Sequence, residues 1–309
     1  MSIRIGLTIS EFPFSSPRAF RQWVELCEES DIDSIWQTDR LVSEVPYLEP
    51  LSLMAWLASA TERLKFGMNV AVLGLREPLV LAKQCATIDF LSEGRLLPAF
   101  GVGADGAPEW SATGTSPAGR GSRADEALGI IARLWAGERV TFTGSHYSYQ
   151  EARIAPLPVQ QPLPLWIGGS SPAAIRRTAR LGTGWIAGLQ TPDTVSTVIS
   201  AIKAAAVEAG RVIDEDHYGA GFSFRFGSWE DEPVRRAVAA YARVNPTIPP
   251  EQYMAVGDER NVLARLQEFI DAGASKFVLR PLADGDADFT DQTRALATTV
   301  VPTVHHPAG

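Results

Sequence analysis

The feature that most constrains this chain is an alternation that runs through its whole length. Short apolar runs, each closed by glycine or polar residues, exchange with longer stretches whose apolar positions recur every three to four residues. The first pattern reads as buried strands and the second as amphipathic helices. Strands are expected near Ile3–Ile9, Ser34–Gln37, Leu64–Ala71, Arg95–Gly101, Pro164–Gly168, Gly184–Ala187, Tyr218–Phe226 and Lys276–Arg280. Helices are expected near Pro17–Ser30, Leu51–Ala60, Glu77–Leu91, Ser122–Ala136, Pro172–Leu181, Asp193–Ala209, Glu232–Arg243, Glu259–Ala272 and Thr290–Val301. Eight strand–helix repeats without a low-complexity linker specify the α/β class and, within it, a (β/α)8 TIM barrel formed as one domain over residues 1–309. A doubly wound open sheet is the alternative. It calls for a GxGxxG turn after the first strand, where this chain reads "LTISEFPFSS".

Two segments interrupt the repeat. Residues 137–163, after the fourth long helix, alternate apolar and polar residues around Thr143–Gly144–Ser145, a hairpin signal, and return through a proline-rich stretch. The second excursion lies near residues 245–256 and holds Pro246, Pro249 and Pro250. Insertions of this length on an α/β barrel serve as lids or subunit contacts, or only decorate it.

Composition narrows the function classes. The formal net charge is −8, and no basic run or stripe of the kind nucleic acid demands is present. The amino terminus "MSIRIGLTIS" lacks the layout of a signal peptide, and no apolar run approaches a membrane span, so a cytoplasmic protein is expected. Cys27 and Cys85, the only cysteines, sit in helical patterns and read as small buried apolar residues. The histidines are His146, His217, His305 and His306, with no ligand spacing beyond the adjacent tail pair, and no metal is expected.

In a barrel of this kind reactive groups gather where strands end. The second strand ends "SIWQTDRL", where Trp36 packs and Gln37, Asp39 and Arg40 reach the rim; Asp39 with Arg40 equally reads as a pair holding a loop. The third runs "LKFGMNVAVLG", where Asn69 is a polar residue in a stretch suited to burial and Gly67 marks a bulge or a close backbone approach. The fourth, "GRLLPAFGVGADGAPEW", carries Pro98 inside the strand and then Gly101, Gly103, Ala104 and Gly106 on a rim loop. Glu109 and Trp110 follow, as a carboxylate and an aromatic surface or as an ordinary connection with a helix-capping Glu.

The fifth strand ends in Gly168, Gly169, Ser170 and Ser171 before Pro172, a strand–turn–helix junction. It is a tight turn with an ordinary cap, or a cradle of N–H groups and hydroxyls for a phosphate. No Ser-His-Asp order, HExxH or closely paired carboxylates stand out. A phosphate cradle, a glycine-rich rim and few titratable groups point to chemistry carried by a cofactor.

Five stretches together resemble the bacterial luciferase-like family of flavin- and coenzyme F420-dependent oxidoreductases. They are "DSIWQTDRL" (33–41), the run from Thr61 to Gly103, "EWSATG" (109–114), "RADEALGIIARLWAG" (123–137) and "PLPLWIGGSSPAAIRRTARLGTGWIAG" (162–188). The resemblance implies a TIM barrel that binds FMN or F420 over the carboxyl ends of its strands. It implies a non-proline cis peptide and bulge at Asn69–Val70 behind the ring, and a cofactor phosphate near Gly168, Gly169 and Ser170. Asp39 matches an acidic position near the ring. Arg40 stands where many F420-using relatives have His, Thr183 stands where Asp is common, and the rim loop departs from the GVGTGE form of sugar-phosphate dehydrogenases.

An FMN-dependent monooxygenase acting on a small organic substrate is the first expectation. Coenzyme F420-dependent hydride transfer is the alternative, followed by a non-catalytic flavin carrier and by a phosphate-binding lyase or isomerase. Asp39, Arg40 and Glu109 are the catalytic candidates. Asn69, Val70, Gly101, Gly103, Ala104, Gly168, Gly169, Ser170 and Ser171 are the candidates for cofactor binding. A homodimer and a separate flavin or F420 reductase are the expected partners.

Overall fold

A recurring signal opens the helices: a side chain able to accept from the backbone, followed at once by proline. In the computed structural model, which describes residues 2–304 and so leaves His305 and His306 outside the description, that signal works as capping. Ser16 accepts from the N–H of Ala19, Glu49 from Ser52, Glu77 from Val80 and Ser171 from Ala174, each with proline at the first helical position. Proline there loses no hydrogen bond, because the first N–H groups of a helix have no partner within it.

Contacts divide the chain into two compact units. One comprises the stretch up to Trp36, Ala187–Ala201 and the stretch from Asp214 on; the other comprises Gln37–Ile186 and Ile202–Ile213. In the first, the strand Arg4–Ile9 runs parallel to Lys276–Pro281 in the register Arg4↔Lys276 to Leu7↔Leu279, and Tyr218–Ala220 pairs with the other edge of Lys276–Pro281. Side chains alternate along a strand, so Ile5, Leu7, Ile9, Phe277 and Leu279 share one buried face. Phe14, Phe20, Trp23 and Phe289 pack as rings 5.2–6.0 Å apart, and the Trp23 indole donates to the Thr293 hydroxyl at 2.8 Å.

The stretch near 245–256 is only partly the excursion expected. It turns at Pro250–Gln252 and then enters the strand Met254–Gly257, which lies parallel to Ser223–Phe226 because Met254, Ala255 and Val256 bury their side chains. The last helix starts at Gly285, five residues before the expected Thr290, and passes through one π turn at Leu296–Val300. Its first turn carries Asp286 and Asp288, which read as loop in the sequence.

In the second unit, Lys65–Met68 pairs with Leu96–Leu97, and Ala71–Val72, Ala99–Gly101, Trp166–Gly168 and Gly184–Ile186 line up in that order, all parallel. Pro98 interrupts the fourth strand as its missing N–H requires, while its carbonyl accepts from the N–H of Trp166 at 3.0 Å. The helices Pro50–Ala60 and Pro78–Leu91 are tied by the Arg95 guanidinium, which donates to the carbonyls of Ala58, Thr61, Leu64 and Ser92. The hairpin falls where expected, with Val140–Thr143 antiparallel to Ser148–Ala152, and its turn is fastened by the Glu126 carboxylate accepting from the N–H groups of Ser145, His146 and Tyr147. Both cysteines are buried and free.

Candidate active site

Register alone reveals a bulge. Gly67 pairs with Leu97 and Ala71 with Phe100, so four residues of the third strand span what three of the fourth do. The extra residue falls at Asn69–Val70, and the peptide bond between them is cis. The Asn69 N–H donates to the Gln37 carbonyl at 2.8 Å, tying the bulge to the end of the second strand.

Val70 then projects into space that two glycines keep clear. A Cβ on Gly101 would stand 2.7 Å from its Cγ2, and one on Gly168 would stand 3.1 and 3.2 Å from its two methyl carbons. The ends of the third, fourth and fifth strands therefore converge on this one side chain. Close approach, not backbone angle, is what favours glycine at both, strongly at Gly101 and less at Gly168, where Val70 would have to give by only a few tenths of an ångström.

Beside the bulge lies a cavity of about 210 Å³. Among the candidates from the sequence it gathers Asp39, Arg40, Asn69, Val70, Gly103, Ala104 and Glu109, but not Gly101, Gly168, Gly169, Ser170 or Ser171. Its volume is below the roughly 300–1,000 Å³ of a pocket that encloses a whole drug-sized ligand.

The two carboxylates at this cavity differ in what holds them. Asp39, whose side chain is 3% exposed, does not pair with its neighbour Arg40. It accepts from the Val72 N–H at 2.8 Å and from both terminal nitrogens of Arg76, at 2.5 and 3.0 Å. Arg76 reaches on to Glu49 at 3.1 Å. Burial works against the charge on Arg76, but the hydrogen bonds and charges of Asp39 and Glu49 outweigh it and raise its pKa.

Glu109 has a looser setting. Its side chain is 6% exposed, its Oε1 lies 3.5 Å from a terminal nitrogen of Arg40, itself 46% exposed, and its Oε2 is buried without a hydrogen-bond partner. The helix Pro108–Ala112 begins at Ala107 with no side-chain cap, so Glu109 is not the capping residue of the alternative reading. Instead the short helix aims its carboxylate into the cavity.

The rim loop is fastened by Trp110, which the sequence marked as an aromatic surface, and by Arg120, which it did not mark. The Trp110 indole donates to the Ala104 carbonyl at 2.7 Å, and Arg120 donates to the Gly103 carbonyl and pairs with Asp105. Arg76 was missed as well, although it is the one charged residue between the bulge and the Glu77–Pro78 helix start.

At the fifth strand, Gly169 adopts φ +103°, and Gly169, Ser170 and Ser171 are exposed. The Ser171 hydroxyl accepts from Ala174 and is thus committed to capping, while Gly169 and Ser170 face outward at the start of the helix Pro172–Leu181. A phosphate suits that position, since the helix dipole and free N–H groups favour an anion. Thr183 holds the following loop: its hydroxyl accepts from the Leu165 N–H at 2.7 Å and its own N–H donates to the Leu165 carbonyl. Trp36 and Gln37 are buried, and Gln37, expected at the rim, is not among the residues that line the cavity. Among the described residues, one group offers metal-ligand spacing, Asp214, Asp216 and His217, and there Arg4 already pairs with Asp216.

The fold is an α/β barrel of parallel strands, and the bulge, the two close-approach glycines and a buried carboxylate with one unpartnered oxygen make up its candidate site. A sequence model described as luciferase-like monooxygenase matches residues 3–301. The chain belongs to the luciferase-like monooxygenase family.

An uncharacterized protein of Mycobacterium tuberculosis is 35% identical over 167 residues, 54% of this chain and 57% of that protein, so the match spans little more than half of that relative's length. A relative from Kineococcus radiotolerans named F420-dependent glucose-6-phosphate dehydrogenase is 27% identical over 95% of both chains. Among solved structures, an F420-dependent secondary alcohol dehydrogenase with an F420–acetone adduct superposes with TM-score 0.84 at 19% identity, over 99% of this chain and 100% of that one. The FMN-bound oxygenating constituent of 3,6-diketocamphane monooxygenase from Pseudomonas putida gives 0.79 at 18% identity, over 99% and 100%. These likenesses establish the luciferase-like TIM-barrel fold. No helix among the described residues is long and apolar enough to cross a membrane.

Proposed function

We propose that the chain is a coenzyme F420-dependent oxidoreductase that exchanges hydride with a small organic alcohol or carbonyl compound. The observation that carries this reading is the Glu109 carboxylate, buried at the cavity with one oxygen unpartnered. Oxidising an alcohol releases a proton as well as a hydride, and an acceptor oxygen with no protein donor is what that proton needs. When bound, F420 supplies the two-electron hydride acceptor.

The residues present fit such a group. Val70, packed into the room that Gly101 and Gly168 leave by lacking a Cβ, offers an apolar seat for one face of a planar ring, and the Gly169–Ser170 turn suits a phosphate. Glu109 holds the substrate proton at Oε2. Arg40 keeps a positive charge near Glu109 Oε1 and can steady an anionic ring or substrate. Asp39, fixed by Arg76, positions the Val72 backbone behind the bulge.

The name given to a relative that matches nearly end to end supports F420 over FMN. The departure of "GVGADG" from GVGTGE in the rim loop argues against a sugar phosphate. FMN-dependent monooxygenation is the second reading, supported by the family's monooxygenase description. A homodimer and a separate reductase that recharges the cofactor are part of the proposal.

The test is anaerobic turnover of a panel of secondary alcohols, followed by the visible absorbance of F420. Glu109→Gln is expected to lower kcat/KM by about 10²–10⁴ while leaving the fold intact. Turnover of the panel by the variant at the parental rate, or oxygen-dependent turnover with reduced FMN in place of F420, overturns the reading.

A further inference from the structure

A second cavity, of about 600 Å³, lies wholly within the first unit, where Arg4–Ile9 and Lys276–Pro281 end and the helix Glu232–Val244 begins. The register Arg4↔Lys276 and Gly6↔Val278 continues, by the alternation of side chains, to Thr8 beside Arg280 on the same face. Both residues line the cavity.

Among the described residues, neither side chain has a hydrogen-bond or ion-pair partner. Thr8 is 5% exposed and its hydroxyl oxygen is buried without a hydrogen bond. The half-buried guanidinium of Arg280 makes no hydrogen bond or ion pair among the described residues. Its strand neighbour Ser223 offers nothing further, since that hydroxyl is bonded to Tyr241. The other charged groups of the lining are accounted for: Arg236 pairs with Asp284, and the exposed Glu11 acts electrostatically on Arg236. Arg280 is left as the uncompensated charge, facing walls supplied by Phe12, Pro13, Ala237, Leu282 and Phe289.

We propose that this cavity binds an organic anion, a carboxylate carrying an apolar body, with Arg280 and Thr8 as its anchor. A guanidinium fork matches the two oxygens of a carboxylate, and the Thr8 hydroxyl adds a donor from below. Arginine is seldom withdrawn from water without a counter-ion, so the missing partner is the ligand. The carboxylates of Glu11 and Asp284 in the same lining oppose a second negative charge, which favours a carboxylate over a phosphate. No residue of the cavity around Val70 lines it, and a titration without F420 reads it apart from the F420 reading.

Calorimetric titration with 3-phenylpropanoate, its neutral amide and inorganic phosphate tests this on the full chain. The acid is expected to bind about tenfold or more tightly than the amide and than phosphate, as a charge-assisted bidentate contact requires. Arg280→Met is expected to erase the preference for the acid, and Thr8→Val to weaken the acid a few-fold. If Arg280→Met fails to fold, as judged by its melting curve, Arg280→Lys serves instead and is expected to fall between the parent and the amide limit, because it keeps the charge and loses the fork. Equal binding of acid and amide, no binding of the acid, phosphate binding as tightly as the acid, or an acid preference that survives the Arg280 variants overturns the proposal.

Discussion

Replacing Arg76 by Met isolates the contact on which the rim of the candidate active site depends. In the parent, the 3% exposed Asp39 carboxylate holds three donors, and two of them are Arg76 nitrogens. Methionine fills much of the arginine stem but leaves Asp39 with the Val72 N–H alone. Breaking a buried pair by removing one partner costs about 3–5 kcal/mol, because the remaining charge stays out of water. Arg76 is itself 14% exposed, so some water reaches the vacated site and the low end, about 3 kcal/mol, is the expected value. With roughly 2–4 °C of melting temperature per kcal/mol in a domain of this size, Arg76→Met should melt roughly 6–12 °C below the parent. Adding Asp39→Asn to the Arg76→Met chain removes the stranded charge and should restore part of the loss. Thermal unfolding followed by circular dichroism at one scan rate reads all four chains of the cycle. A melting point within about 2 °C of the parent for Arg76→Met, or a second substitution that only adds to the damage, refutes the reasoning.

Gly101→Ala places a Cβ 2.7 Å from Val70 Cγ2, and overpacking of that kind costs about 1–3 kcal/mol. Cofactor affinity should fall together with the melting temperature, and retention of both by the variant contradicts the placing of Val70. Acid should weaken the fold in a defined direction. Glu49 is pushed up by burial but drawn lower overall by its hydrogen bonds from Ser52 and Arg76, while Asp231 beside Arg225 and Asp258 beside Arg260 are also held below the usual range. Each carboxyl binds its proton more weakly folded than unfolded, so its contribution is present above the unfolded value near pH 4 and is lost as pH falls through the lower folded value. The urea midpoint should drop from pH 6 to pH 3, and a midpoint unchanged over that interval contradicts the assignment.

The helix start at Pro172 was legible because Ser171 caps it and proline fits the first turn; Pro17 also starts its helix as expected, and the starts at Pro50 and Pro78 fall within one residue of the expected Leu51 and Glu77. The break at Asn69–Val70 was expected from resemblance, while Gly67 and Asn69 alone indicated only a close approach or a ligand. What could not be read was pairing. The partner of Asp39 lies 37 residues away at Arg76, whereas the adjacent Arg40 turns to Glu109. Local spacing favours neighbours, and only the return of the third strand to the end of the second brings Arg76 within reach. Met254–Gly257 was missed because prolines at 246, 249 and 250 read as irregular chain and hid a strand that exists only through pairing with Ser223–Phe226. The missing partner of Glu109 Oε2 likewise belongs to three dimensions and has no mark in "GAPEW".

The most direct measurement is a fluorescence titration of the purified chain with F420 and, in parallel, with FMN. Saturable binding of F420, markedly tighter than FMN and weakened by Gly101→Ala, is the predicted result. Saturation by FMN with no response to F420, or no binding of either, contradicts the claim that the bulge at Val70 seats a deazaflavin ring.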